Sequence, residues 1–299
     1  MVPSSIHDAV PLHTEATGMH EFPISLAGFP LFYPVGTPQG VCFCSLNRIT
    51  LIVSVNFLHN KKTLVGRAKM GLFHEFSDLS REPAVRGFLH EPASPNGNAI
   101  VLTHGAGANC QSRLLTLLSD AFADAGFLVL QCDLPFRLSR PHGPPFPAMA
   151  ARDREGLRRA VEIIRAKASA RIFLGGHSYG GRQATLLAAE APGLVSGLLL
   201  LSYPLHPPRK PLELRTAHFP QLKTPALFVH GSRDPFGSHQ EMQTALQLLP
   251  GRNMMLEIER AGHELLGKKT EDGVPGRIVE SFKKFFLPEL FLKIRSDGS

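Results

Sequence analysis

Tryptophan is absent from the 299 residues, tyrosine occurs three times and cysteine four times, and no long run of Lys or Arg is present. Each shortage excludes something. The cysteines (Cys42, Cys44, Cys110, Cys132) are too sparse for a disulfide framework, and none stands in a C-x-x-C zinc spacing. They point to a reducing, cytoplasmic setting. A net charge of +7 would permit contact with an acidic partner, but mixed-sign charges without a basic run argue against a dedicated nucleic-acid binder. Residues 41–58 are the most membrane-like stretch, but Asn47, Arg48 and Asn56 interrupt it. Its cleanest part, 49–58, falls well short of the roughly 20 residues that a spanning helix needs. Arg48 is the first Lys or Arg, so no basic region precedes an apolar stretch as a secretory signal would require.

What is present looks globular. Hydrophobic residues make up 43% and charged residues 19%, and the 20 phenylalanines carry the aromatic burial. Gly (27) and Pro (25) stay below the roughly 25–30% combined share of low-complexity chains, so they are read as turn chemistry at definite places.

Residues 1–69 differ in texture from the rest. They scatter His, Pro, Thr and Gly without a sustained period, apart from one isolated β-branched run. The expectation is an N-terminal extension, poorly ordered or reflecting a translation start placed too far upstream, with a small regulatory or docking domain as the alternative. Met70 then opens a segment (MGLFHEFSDLSREPAVRGFLHEP) that reads as two short strands around a turn. Residues 70–299 are expected to form the folded catalytic unit. The extension holds five Lys/Arg against three Asp/Glu, which leaves 27 against 22 from Met70 onward, so the basic balance belongs mainly to that unit.

From about residue 85 strands and helices alternate. Strand-like runs occur at 98–103 (NAIVLT), 127–131 (FLVLQ), 172–174, 195–201, 226–229 and 254–258. Helical faces occur at 114–122, after the second glycine cluster, around 239–248, and near the end, where Ile278, Phe282, Phe285 and Phe286 share a stripe. Leu157, Ala160, Val161 and Ile164 fall at i, i+3, i+4 and i+7, with Arg158, Arg159 and Arg165 assigned to the opposite face. Continuous apolar strands alternating with amphipathic helices imply a mostly parallel sheet covered on both faces. Ligands on such sheets bind beyond the carboxyl ends of the strands.

Those ends carry the chemistry. The run at 172–174 leads into GGHSYGGR and then a helical QATLLAAE, giving Gly-x-Ser-x-Gly as Gly176, Ser178 and Gly180 in a strand-turn-helix context. The glycines admit a tight turn that holds the serine above the sheet, at a helix N-terminus that favours developing negative charge. A serine needs a base. The run at 226–229 ends in HGSRDPFG and the run at 254–258 in ERAGHE, so Ser178, Asp234 and His263 follow three strands in the order nucleophile, acid, base. Asp234 is the sole carboxylate between Glu213 and Glu241. After NAIVLT comes His104-Gly105-Ala106-Gly107-Ala108-Asn109, a turn suited to supply a second oxyanion N–H, from Ala106 or else Gly107, beside that of Tyr179. The same turn lacks the Gly-Lys-Ser/Thr ending of a phosphate loop.

The set HGAGAN, GGHSYGGR, VHGSRDPFG and AGH resembles the α/β-hydrolase superfamily over about residues 85–290, and within it the testis-expressed-protein-thirty-like and dienelactone-hydrolase-like predicted hydrolases. Dienelactone hydrolases proper use cysteine as nucleophile where this chain has Ser178, so their substrate is not implied. The resemblance implies an α/β-hydrolase fold without a large lid domain and a cofactor-free serine hydrolase. Such an enzyme would cleave an ester, thioester or related acyl bond of a small-molecule substrate through an acyl-serine. The alternative is a catalytically silent scaffold or interaction protein on the same fold, since one relative serves as a subunit of a nuclear acetyltransferase complex.

His104, His177, His230 and His263 all lie near strand ends, but His104 and His230 each precede a turn glycine and His177 belongs to the elbow, so no metal is expected. Residues 133–147 and 203–220 are proline-rich and are read as pocket walls. Arg137, Arg182, Arg209 and Arg215 on or beside them would make the mouth positive, with Asn109, Arg137 and Arg182 as candidate substrate contacts and an anionic group on the substrate.

Overall fold

A computed structural model of the chain describes residues 71–267 and 273–289 in full, and elsewhere the backbone of two strands. These are β1 (Gln39–Leu46) and β2 (Ile49–Asn56), which pair with each other in a sheet of their own. A pair therefore stands where one isolated β-branched run was expected. The rest of the expected extension, and the segment beyond residue 289, lie outside the described residues.

The main body is built on one eight-stranded sheet. Its strands are β3 (Leu72–Asp78), β4 (Val85–Glu91), β5 (Ala99–Thr103), β6 (Leu128–Cys132), β7 (Ile172–His177), β8 (Gly197–Leu201), β9 (Ala226–Gly231) and β10 (Asn253–Ile258). Their order across the sheet is β10-β9-β8-β7-β5-β6-β4-β3. The strands expected on either side of the turn after Met70 pair antiparallel, from Leu72 opposite Glu91 to Asp78 opposite Val85. β4 is antiparallel to β6, and every pairing from β6 to β10 is parallel.

Between and after the strands run α1 (Arg113–Asp124), α2 (Pro135–Ser139), α3 (Ala150–Arg165), α4 (Tyr179–Glu190), α5 (His239–Leu246) and α6 (Val274–Phe286). Side chains alternate across a strand, so each strand feeds two cores. Val101, Leu174, Leu198, Leu200 and Phe228 pack toward α3, α4 and α5. Ile100, Leu102, Phe173, Leu199, Leu201, Leu227 and Val229 pack toward α1 and α6. The phenylalanine stripe expected on the last helix is buried here, with Phe282 at 5.0 Å from Phe122 and 4.8 Å from Phe173 between ring centroids.

Two sequence readings need correction. Arg159 does not lie on the outer face of α3, for it is 2% exposed. Its guanidinium donates to Pro83 O at 2.8 Å, Asp78 Oδ1 at 2.6 Å and Ser80 Oγ at 3.0 Å, so it fastens the β3–β4 turn to the helix. Nor is 133–147 loop throughout: α2 begins at Pro135, where a missing N–H costs nothing in the first turn. Among the described residues the two proline-rich connections otherwise carry two three-residue 3₁₀ turns, at Pro147–Met149 and Phe219–Gln221. No inserted lid domain occurs among the described residues.

Candidate active site

Ser178 occupies the single residue between β7 and α4 with φ 51° and ψ −113°, a left-handed conformation that costs a non-glycine residue energy. The surrounding glycines explain how it is accommodated. A Cβ on Gly176 would sit 2.5 Å from the backbone of Gly180 and of Gly181, and one on Gly180 would sit 2.5 Å from His104 O. At Gly105 it would meet the His177 ring at 3.0 Å, whereas Gly107 faces open space. The serine is also fixed from the sheet, its N–H donating to Leu201 O on β8 at 2.8 Å.

β9 and β10 deliver its partners. His263 Nε2 lies 2.8 Å from Ser178 Oγ, and Nδ1 lies 2.8 and 3.0 Å from the two carboxylate oxygens of Asp234. With Nδ1–H donating to Asp234, Nε2 is left as the acceptor for the serine hydroxyl. Asp234 is locally anchored, because its Oδ1 also accepts the Phe236 N–H at 2.9 Å.

Two contacts around His263 were not foreseen. The Phe236 ring stacks on the imidazole at 4.2 Å between centroids, inclined by 32°. From the elbow, His177 Nε2–H donates to the carbonyl of His263 at 2.9 Å. Burial holds the His177 pKa below the usual imidazole range, so it remains a neutral donor. Asp153 on α3 was likewise missed. It is buried, accepting the Tyr179 hydroxyl at 2.7 Å and the Phe136 N–H at 2.9 Å, and burial keeps its carboxyl above the ordinary range despite those bonds. It ties the residue after Ser178 to α2. No local sequence pattern announces these contacts, which join residues far apart in the chain.

Beside the elbow, the turn after β5 is held from both ends. Gly105 O accepts from His104 Nδ1 at 2.8 Å and from Ala108 N at 3.2 Å, and a planar peptide then turns the Ala106 N–H the opposite way. Neither Ala106 N–H nor Tyr179 N–H donates to a backbone carbonyl among the described residues.

Arg137 departs from the sequence reading. It is 7% exposed, stacks over the Phe136 ring at 4.7 Å, and spends its donors on carbonyls. Nε reaches Ala108 O at 2.8 Å, Nη2 reaches Ala106 O at 2.8 Å and Gly143 O at 3.1 Å, and Nη1 reaches Arg140 O at 2.9 Å. Arg137 therefore clamps the glycine-rich turn and presents no free cation to a ligand. Asn109 is exposed and accepts the Gln111 N–H at 2.9 Å, as a turn residue does. Arg182, one turn into α4, is half-buried.

The fold and this edge of the sheet agree with what the chain resembles. A family model described as alpha/beta hydrolase domain matches residues 96–282. The chain belongs to the α/β-hydrolase family. Among solved structures, this α/β hydrolase is similar to dienelactone hydrolase from Anabaena variabilis, with 21% identity and a TM-score of 0.58 over 73% of this chain and 97% of that one. It is also similar to an α/β serine hydrolase without lid from Xanthomonas campestris (15%, TM-score 0.55, 72% and 95%). A third similar structure is Est1E from Butyrivibrio proteoclasticus with ferulic acid bound (14%, TM-score 0.53, 72% and 96%). At these identities the likeness is one of fold.

Proposed function

We propose that this α/β hydrolase cleaves an ester, thioester or related acyl bond of a small substrate through an acyl-Ser178 intermediate. The observation that carries the reading is the continuous relay from Ser178 Oγ through His263 to buried Asp234. In the first half-reaction His263 Nε2 takes the hydroxyl proton as Oγ bonds to the acyl carbon, and the carbonyl oxygen becomes an oxyanion. Asp234 holds the imidazole tautomer and stabilises the imidazolium. The N–H groups of Tyr179 and Ala106 receive the oxyanion, with Arg137 and His104 keeping the turn in register. His263 then returns its proton to the departing alcohol or thiol. Water repeats the sequence on the acyl-serine, releasing the acid and restoring the hydroxyl.

The test is covalent labelling with a neutral fluorophosphonate probe, which requires an activated serine. The protein is expected to label at Ser178, and Ser178→Ala to remove both the label and turnover, the latter by about a millionfold in kcat as for other serine hydrolases. An intact protein that neither labels nor hydrolyses simple esters would instead be a scaffold on a hydrolase fold.

A further inference from the structure

Of the elbow sequence, His177 and Tyr179 engage His263 O and Asp153, whereas the side chain of Arg182 has no such bond among the described residues. Its N–H donates to Ser178 O at 3.0 Å, which places it four residues, or about 6 Å, along α4 from the serine. Its guanidinium makes no ion pair or hydrogen bond with any described residue, and Nε is buried without a partner. A buried N–H left unpaired is costly unless something brings it an acceptor. The charge of Arg182 favours ionisation of the Tyr179 and Tyr203 hydroxyls, against the burial that raises the pKa of both.

The segment after β8, which packs on α4 where His218 meets Thr185, carries a second arginine. The Tyr203 hydroxyl donates to Arg215 O at 2.7 Å, and Arg215 Nη1 reaches only Pro204 O, at 3.3 Å. Burial and the nearby charge of Arg182 push the Arg215 pKa down, as for two cations brought together. His218 closes the cluster. Its Nε2–H donates to Thr185 Oγ1 at 2.8 Å, and that hydroxyl donates to Arg182 O at 2.8 Å. The carboxylates around them are engaged elsewhere: Glu213, whose charge also acts on Arg215, is exposed and pairs with Lys210 at 2.8 Å, Glu190 pairs with Arg154 at 3.0 Å, and Asp153 is held by Tyr179 and Phe136.

We propose that Arg182 and Arg215, flanked by Tyr203 and His218, form a subsite for a terminal oxyanion, a carboxylate or phosphate group carried by the substrate a short chain away from the bond that is cleaved. This rests on the acyl-serine reading above and names its substrate class. The guanidinium of Arg182 is uncommitted and that of Arg215 spends only Nη1, on one long bond, and guanidinium forks match the planar, bidentate geometry of such groups. One turn of helix from Ser178, the subsite would hold the far end of the substrate while the acyl carbon meets Oγ. Of the four arginines expected at the mouth, Arg137 is committed to carbonyls, and Arg182 and Arg215 are the pair that carries this role.

The experiment compares matched activated esters: p-nitrophenyl butyrate, the corresponding hemisuccinate, and an analogue ending in a phosphonate. Wild type should favour the charged esters by roughly 10- to 100-fold in kcat/KM, the range expected for charge-assisted hydrogen bonds. The larger of the two preferences identifies which oxyanion the site takes. Arg182→Gln with Arg215→Gln should bring the ratio to near one, and Arg182→Lys, which keeps the charge, should retain part of it. Arg182→Glu should reverse the ratio in favour of an amine-ended ester. The proposal is overturned if wild type hydrolyses neutral and charged esters equally well, or if the double variant keeps the preference. Absence of hydrolysis of every ester together with absence of fluorophosphonate labelling would instead overturn the acyl-serine reading on which it rests.

Discussion

Replacing Arg137 by methionine separates the stability of the fold from the geometry of the turn proposed to receive the oxyanion. Methionine keeps much of the side-chain bulk and removes four hydrogen bonds and the stacking on Phe136. The carbonyls of Gly143 and Arg140 belong to exposed and half-exposed residues and regain water, whereas those of Ala106 and Ala108 stay partly covered. At about 1 kcal/mol for each of the latter two, and about 0.5–1 kcal/mol for the ring contact, the loss is about 2–3 kcal/mol. For a body of this size that corresponds to about 5–10 °C in Tm. The catalytic loss should be larger. With Ala106 O released, the peptide planes of the turn are free to rotate, and misplacing one oxyanion donor costs about 100- to 1000-fold in kcat with little change in KM. Arg159→Met is the control, since Arg159 is also buried and makes three side-chain hydrogen bonds, one of them to a carboxylate, but holds the β3–β4 turn. It should lower Tm and leave kcat intact below the transition. Millimolar guanidinium should restore part of the activity of Arg137→Met and none of its Tm deficit. If Arg137→Met turns over esters at the wild-type rate at a temperature where it is folded, the clamp does not position the oxyanion donors.

Acid should weaken the fold through its buried histidines. Burial and the Arg182 charge push the His218 pKa down to about 4 from the usual value of 6.5. Below 6.5 the unfolded chain therefore takes up a proton that the folded state refuses, and stability is lost as pH falls from above 6.5 toward 4. His104 and His177, also lowered by burial, add to the same limb. The drop in Tm between pH 7 and pH 4.5 should be smaller in His218→Gln than in wild type, and an equal drop would refute the assignment. At the elbow, Gly176→Ala drives a Cβ into the backbone of Gly180 and Gly181. It should cost at least about 1–3 kcal/mol and abolish fluorophosphonate labelling. Gly276→Ala, in open space on α6, should by contrast be neutral or stabilise by about 0.5–1 kcal/mol in denaturant titration.

The parts of this hydrolase that were legible in its sequence are those governed by local rules. Buried parallel strands announce themselves as continuous apolar runs, and a residue that must reach the carboxyl edge has to follow one of them directly. Ser178, Asp234 and His263 are each found this way, as is the glycine-rich turn after β5. What escaped depends on partners that no spacing encodes. Phe236 meets a ring 27 positions away and His177 meets a carbonyl 86 positions away. The arginines show the limit most clearly. A helical wheel sends Arg159 to solvent because it weighs charge against apolar neighbours and counts no acceptors, yet Pro83 O, Asp78 and Ser80 satisfy the buried guanidinium. Arg137 and Arg182 look alike in sequence, two cations beside loops at the same edge. The fold surrounds one with four carbonyls and leaves the other without a partner among the described residues. A guanidinium saturated by backbone is a structural bolt, and one held half-buried with its donors unused is built for something that arrives from outside.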